Sequence, residues 1–206
     1  MLAATDLECV RGERCLFRGV GFELEPGMLL EVSGPNGSGK TSLLRIVCGL
    51  LAPAAGAILW NGTDIRKAAE EYRGQLAYLG HQNAIKDDLT GIENLVIPET
   101  LAGGEVTPKS AREALGDLGL EGFEHLPTRV LSQGQKRRVA LARLAFRGRC
   151  RLWVLDEPFV ALDAKAVRSV ADMIANQVDA GGIVILTTHQ EVEIGARRRE
   201  ILRLGA

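Results

Sequence analysis

Gly34-Pro35-Asn36-Gly37-Ser38-Gly39-Lys40-Thr41 decides the reading of this chain. The stretch has the spacing GxxxxGK[ST]. It follows the apolar run Leu29–Val32 and opens a segment with helical spacing through Leu43, Leu44, Ile46, Val47 and Leu50. A strand before the loop and a helix after it is the context in which this motif carries meaning. The glycines let the backbone curl until several N–H groups point at one anionic group. The N-terminus of the following helix adds partial positive charge at the same place. The Lys40 ammonium then reaches the outer phosphates of a nucleoside triphosphate. The Thr41 hydroxyl is a hard oxygen suited to Mg²⁺. Gly34, Pro35, Asn36, Gly37, Ser38, Gly39, Lys40, Thr41 and the adjoining Ser42 form the candidate phosphate cradle. The loop indicates a nucleoside triphosphate and leaves the reaction open.

A second element is Leu152-Trp153-Val154-Leu155-Asp156-Glu157. The continuous apolar run reads as a parallel strand buried on both faces. Two acids then stand at its carboxyl end, where ligands bind in such sheets. Asp156 is placed to hold Mg²⁺, and Glu157 to orient or deprotonate an attacking water. Alone, such a pair would as often be two solvated acids. Beside a phosphate loop, the chemical reading is favoured.

The rest of the chain fits this frame. Residues 2–10 and 20–32 read as strands, the latter broken by the turn Glu25-Pro26-Gly27. Asn61-Gly62, between Ala57-Ile58-Leu59-Trp60 and Thr63-Asp64-Ile65, reads as a hairpin turn. Residues 75–79, 183–188 and 199–204 read as further strands. Residues 39–50, 132–147 and 164–179 read as helices, the second capped by Ser132. Residues 83–131 are short helical segments cut by glycine and proline. The expected fold class is α/β, with a mixed or parallel core sheet, an antiparallel β part and an inserted helical subdomain. One domain spans 1–206, with core and β parts at about 1–82 and 132–206 and the helical insertion at about 83–131.

Composition excludes several alternatives. In 206 residues, Lys plus Arg total 25 and Asp plus Glu total 26, a formal net charge of -1. Such a balance disfavours nucleic acid as the main partner. The basic runs Lys136-Arg137-Arg138 and Arg197-Arg198-Arg199 then read as solvated faces. No apolar run reaches the roughly 18 residues of a membrane helix. The start of the chain lacks the basic-then-apolar pattern of a secretory signal. The four cysteines, Cys9, Cys15, Cys48 and Cys150, form no CxxC pair, which suggests a reducing compartment. No guanine-reading NKxD sequence is present.

Further motifs follow in a fixed order. Gln82 follows the strand at 75–79, Leu131-Ser132-Gln133-Gly134-Gln135 precedes a helix, Ala161-Leu162-Asp163 follows the two acids, and His189 ends the strand at 183–188. Each residue alone would be an ordinary surface polar group or helix cap. Together with the phosphate loop, they make the chain resemble the ATP-binding cassettes of ABC transporters over essentially its whole length. That resemblance implies ATP and Mg²⁺ as ligands. It implies that Gln82 contacts Mg²⁺ and the attacking water, and that His189 grips the γ-phosphate. Glu157, His189 and Gln82 become the catalytic candidates, and Thr41, Gln82 and Asp156 the metal candidates. It also implies that Ser132, Gly134 and Gln135 bind ATP held by a second copy of the chain, with Asp163 linking the two sites. The physical reading agrees, because Ser132 caps a helix whose N-terminus is a second anion site.

Two departures stand out. Gln133 replaces the first glycine of the family's LSGGQ signature. The aromatic residue that stacks on adenine in the family falls at about Arg11, where either a guanidinium plane stacks instead or base recognition is weak and ATP is poorly selected over GTP.

A finer similarity lies in the run from Ala77 to Lys86, in Arg137–Leu144 and in Gly182–Gln190. These resemble the ATPase subunits of the bacterial haem-export machinery of cytochrome c maturation. That likeness implies integral membrane transporter subunits as partners and a peripheral location at the cytoplasmic face of the inner membrane. Haem enters through the resemblance alone: there is no CxxCH, and His81, His125 and His189 are scattered, so no direct haem site is visible. A transporter for another cargo and a soluble, non-transport cassette remain the alternatives.

Overall fold

In the computed structural model, which describes residues 1–205, the chain forms two sheets. An antiparallel sheet holds β1 (Leu2–Arg11), β2 (Arg14–Leu24), β4 (Ala55–Trp60) and β5 (Thr63–Asp64), in the order β2-β1-β4-β5. A second sheet holds β3 (Leu29–Ser33), β6 (Leu76–Leu79), β7 (Leu152–Asp156), β8 (Ile183–Thr187) and β9 (Arg199–Arg203). Its order is β6-β7-β8-β3-β9, and every neighbouring pair runs parallel, so this sheet is not mixed.

The apolar runs in β7 and β8 follow from two-sided burial. Leu152, Val154, Ile183 and Ile185 face one core, which they share with α1 (Lys40–Val47) and the antiparallel sheet. Trp153, Leu155, Val184 and Leu186 face a second core with α6 (Ala164–Asp179). Alternate residues of one strand thus serve opposite faces, and both faces are apolar.

α3 (Gly91–Leu101), α4 (Pro108–Asp117) and α5 (Gln133–Ala142) pack together beside the parallel sheet, and α5 joins their core to that of α6. Capping boxes at Thr90, Thr107 and Ser132 start all three helices. α5 ends five residues short of the expected 147, because residues 143–146 tighten into a 3-10 turn. α1 likewise closes at Val47 and not at Leu50.

The Asn61-Gly62 hairpin is present, with both residues at positive φ (50° and 81°) between paired Trp60 and Thr63. A strand was not expected at 14–19, and α2 (Ala69–Gly74) was not expected at all. β2 starts at Arg14, directly after the turn at Gly12-Glu13. Its residues are mostly exposed, and register shifts interrupt its ladder with β1, which erases the alternation that marks a strand.

Candidate functional site

The carboxyl ends of three adjacent strands converge. β3 leads into the Gly34–Thr41 loop, β7 ends at Asp156 and Glu157, and β8 ends just before Thr188-His189. Between them lies a cavity of about 600 Å³. Arg11, Asn36, Gly37, Gly39, Lys40, Thr41, Ser42, Asp156, Glu157 and His189 all line it.

The loop is closed from behind. Gly39 has φ +99°, and a Cβ there would sit 2.9 Å from Phe17 Cδ1 and 3.1 Å from Leu16 Cβ, so β2 roofs the turn. Lys40 is buried, and its Nζ donates to Gly34 O (2.8 Å) and Pro35 O (3.1 Å). Ser38 Oγ is buried without a hydrogen-bond partner. An ammonium and an unpartnered hydroxyl inside a curled, glycine-rich loop fit the oxygens of a phosphate chain.

The carboxylates are held differently from each other. Asp156 is almost fully buried. Its Oδ2 accepts from Thr41 Oγ1 at 2.9 Å, and its Oδ1 accepts from Thr187 Oγ1 at 2.7 Å. The Thr41–Asp156 pair is a hard-oxygen set that fits Mg²⁺. Glu157 has φ +50°, a left-handed conformation that costs a non-glycine residue of order 1–3 kcal/mol. Two contacts retain it: Glu157 N donates to Thr187 Oγ1 at 3.0 Å, and Glu157 O accepts from Arg137 at 2.8 Å. The carboxylate lies with Oε1 3.3 Å from His189 Nε2.

Several candidates stand apart from this cavity. Gln82 does not line it. It lines a separate groove beside Pro98, Glu99, Arg143 and Arg147. The segment itself stays beside the cavity, which its neighbour His81 lines; Arg137 fixes both flanks of Gln82 through Gly80 O and Asn83 Oδ1, and the Gln82 side chain turns to the groove. Ser132, Gly134, Gln135 and Asp163 do not line the cavity either. Ser132 Oγ accepts from Gln135 N (3.2 Å), and Gln135 Oε1 accepts from Ser132 N (2.9 Å), so Gln135 serves the cap of its own helix. A Cβ on Gly134 would meet Ala161 O at 2.5 Å, so the first turn of α5 touches the loop leading to Asp163. Asp163 caps α6 through Ala166 N (2.8 Å) and binds Arg138 (2.6 Å). The Ala166 N–H first, and then the Arg138 charge, hold its carboxyl below the usual range.

Residues not singled out from the sequence also reach the cavity: Arg14, Leu16, His81, Val160 and Gln190. Arg14 lies directly opposite Arg11 across the β1–β2 ladder, and among the described residues neither forms an ion pair. Its signal was the turn Gly12-Glu13, which pairs the two arginines once both flanks are read as strands. Among the described residues, no cluster of metal-ligating side chains and no helix long and apolar enough to cross a membrane is found.

The family model described as ABC transporter matches residues 17–160. The chain belongs to the ABC transporter family. This cassette is 57% identical to the cytochrome c biogenesis ATP-binding export protein CcmA of Nitrosomonas europaea, over 93% of this chain and 90% of that protein. It is 52% identical to the CcmA of Nitrosospira multiformis over 98% of both chains. It is 46% identical to that of Pseudomonas aeruginosa over all of both. Among solved structures, the cassette is similar to a putative ABC transporter ATP-binding protein from Pyrococcus furiosus. The TM-score is 0.82 at 28% identity, covering 98% of this chain and 96% of that one. A dimeric ATP-binding cassette bound to ADP and Pi shares its fold, with TM-score 0.83 at 23% identity over 100% and 97% of the chains.

Proposed function

We propose that this cassette is the ATP-hydrolysing subunit of an ABC exporter acting in cytochrome c biogenesis, with haem or a haem-loaded chaperone as the species moved. The convergence of Lys40, Asp156, Glu157 and His189 at three neighbouring strand ends carries the hydrolytic reading. The likeness to the CcmA proteins carries the cargo.

In this reading, the backbone of Gly34–Gly39 and the Ser38 and Ser42 hydroxyls bind the phosphate chain of ATP. Lys40 spreads the charge on its outer phosphates. Mg²⁺, when bound, offsets the charge that develops on the β- and γ-oxygens, and the Thr41 hydroxyl and the Asp156 carboxylate are the groups that would hold it. Glu157 orients and deprotonates the water attacking in line. His189, with Nε2 3.3 Å from Glu157 Oε1, is placed to hold that carboxylate and the γ-phosphate in one geometry. Gln82 joins the site when its loop and α5, tied together by Arg137, move as a unit. Arg11, with Arg14 opposite, offers guanidinium planes to the base.

Ser132, Gly134 and Gln135 bind the ATP of a second copy in a two-fold dimer, and Asp163 links the two sites. Residues 83–131 form the helical subdomain that meets integral membrane subunits at the cytoplasmic face of the inner membrane. The Glu157→Gln variant tests the reading in solution: it binds ATP, dimerises in its presence and does not turn over. Normal hydrolysis by that variant would remove Glu157 as the base.

A further inference from the structure

Arg137 is the most heavily used charged side chain in the interior. It lies on α5, five residues after the cap Ser132, and is 5% exposed. One terminal nitrogen donates to Gly80 O (3.0 Å) and Asn83 Oδ1 (3.1 Å). The other donates to Asp156 O and Glu157 O, both at 2.8 Å. All four acceptors are uncharged, and the side chain forms no ion pair among the described residues. Burial alone therefore lowers its affinity for the proton, while the Asp156 and Glu157 charges oppose that effect.

A buried guanidinium without a paired carboxylate is expensive to keep. What it gains here is connection. Its two donor pairs clamp the two sides of the site: the peptides of the carboxylates, and the segment 80–83 that contains Gln82. The Glu157 clamp acts on the residue held at φ +50°. Arg138, next on the same helix, binds Asp163 and the Leu118 and Gly119 carbonyls. α5 therefore cannot shift without carrying the peptide of Glu157 and the loop of Gln82 along.

We propose that Arg137 is a positioning residue for hydrolysis: it locks the Glu157 peptide and the Gln82 loop to α5, so that the placement of α5 sets the catalytic geometry. The proposal rests on the reading of Glu157 as the base. Arg137 touches no reacting atom, so its loss acts on turnover and leaves nucleotide binding in place.

The test compares wild type, Arg137→Lys, Asn83→Ala and Glu157→Gln as full-length chains. ATP affinity, steady-state kinetics and thermal melting are measured for each. Lysine keeps the charge but cannot span four acceptors in two directions. Arg137→Lys is expected to lose about tenfold or more in kcat, with KM and nucleotide Kd within about twofold. Asn83→Ala, which removes one acceptor beside Gln82, loses a few-fold in kcat, and the two losses are not additive when combined. Near-normal kcat in Arg137→Lys while Glu157→Gln is dead would overturn this proposal alone. Parallel loss of binding and turnover in both Arg137→Lys and Asn83→Ala would also overturn it, by making the role one of general stability. Turnover by Glu157→Gln would instead overturn the assignment of the base.

Discussion

His189 Nε2 stands 3.3 Å from Glu157 Oε1, and the two side chains come from the ends of neighbouring parallel strands. The imidazole lies beside a carboxylate whose own backbone is in a left-handed conformation. Replacing His189 with alanine leaves Glu157 free to rotate. Turnover is expected to fall about 10²-fold, as for loss of a group that fixes the reacting geometry, with ATP affinity within a few-fold. Single-turnover hydrolysis beside equilibrium nucleotide binding checks this.

Asp156 and Thr41 form the other polar contact across the cavity. Asp156→Asn keeps the shape and removes the charge that suits Mg²⁺. ATP binding without Mg²⁺ should persist, and the gain in affinity on adding Mg²⁺ should vanish. Titration of labelled ATP with and without Mg²⁺ measures both.

Gly134 has no room for a side chain against Ala161 O. Gly134→Ala must displace the first turn of α5 or the loop at Ala161, at a cost of about 1–3 kcal/mol. For a chain of this length, each kcal/mol lowers Tm by about 2–4 °C. Calorimetry of the variant reads the shift directly.

Arg11 and Arg14 place two like charges opposite each other on the cavity rim. Like charges directly across a ladder repel, and a π face between them would relieve that repulsion. A guanidinium plane stacks on any purine and reads no edge. ATP and GTP should therefore compete within about tenfold of each other, far below the ratio of a site that pairs with a base edge. Arg14→Ala should weaken both nucleotides alike in a competition assay.

The Asp163 carboxyl is held below its usual range by Ala166 N–H and Arg138. Its stabilising effect is complete above the unfolded-state value of about 3.9 and fades as pH falls through the lower folded value. The Tm difference between wild type and Asp163→Asn should be constant near neutrality and shrink as the pH falls below about 4.

Much of the site was legible because its groups follow elements with strong local signals. The phosphate loop is bounded by Leu29–Val32 and a helical pattern, while β7 and β8 are unbroken apolar runs that deliver Asp156, Glu157 and His189. What escaped depends on contacts distant in sequence. β2 is half-exposed and irregular, so Arg14 had no strand to place it. Arg137 sat in a basic run that reads as solvated, yet its four partners lie 19 to 57 residues away. Gln82 was legible as a residue but not as a position, because the contacts that hold its loop, from Arg137 to Gly80 O and Asn83 Oδ1, are distant in sequence.

The most direct test replaces the chromosomal copy with the Glu157→Gln variant in the organism that carries it, followed by a haem stain of c-type cytochromes. Loss of covalently attached haem, with the variant still present in the membrane fraction, is the predicted result. Normal c-type cytochromes would contradict the assignment to cytochrome c biogenesis and leave the cassette without its cargo.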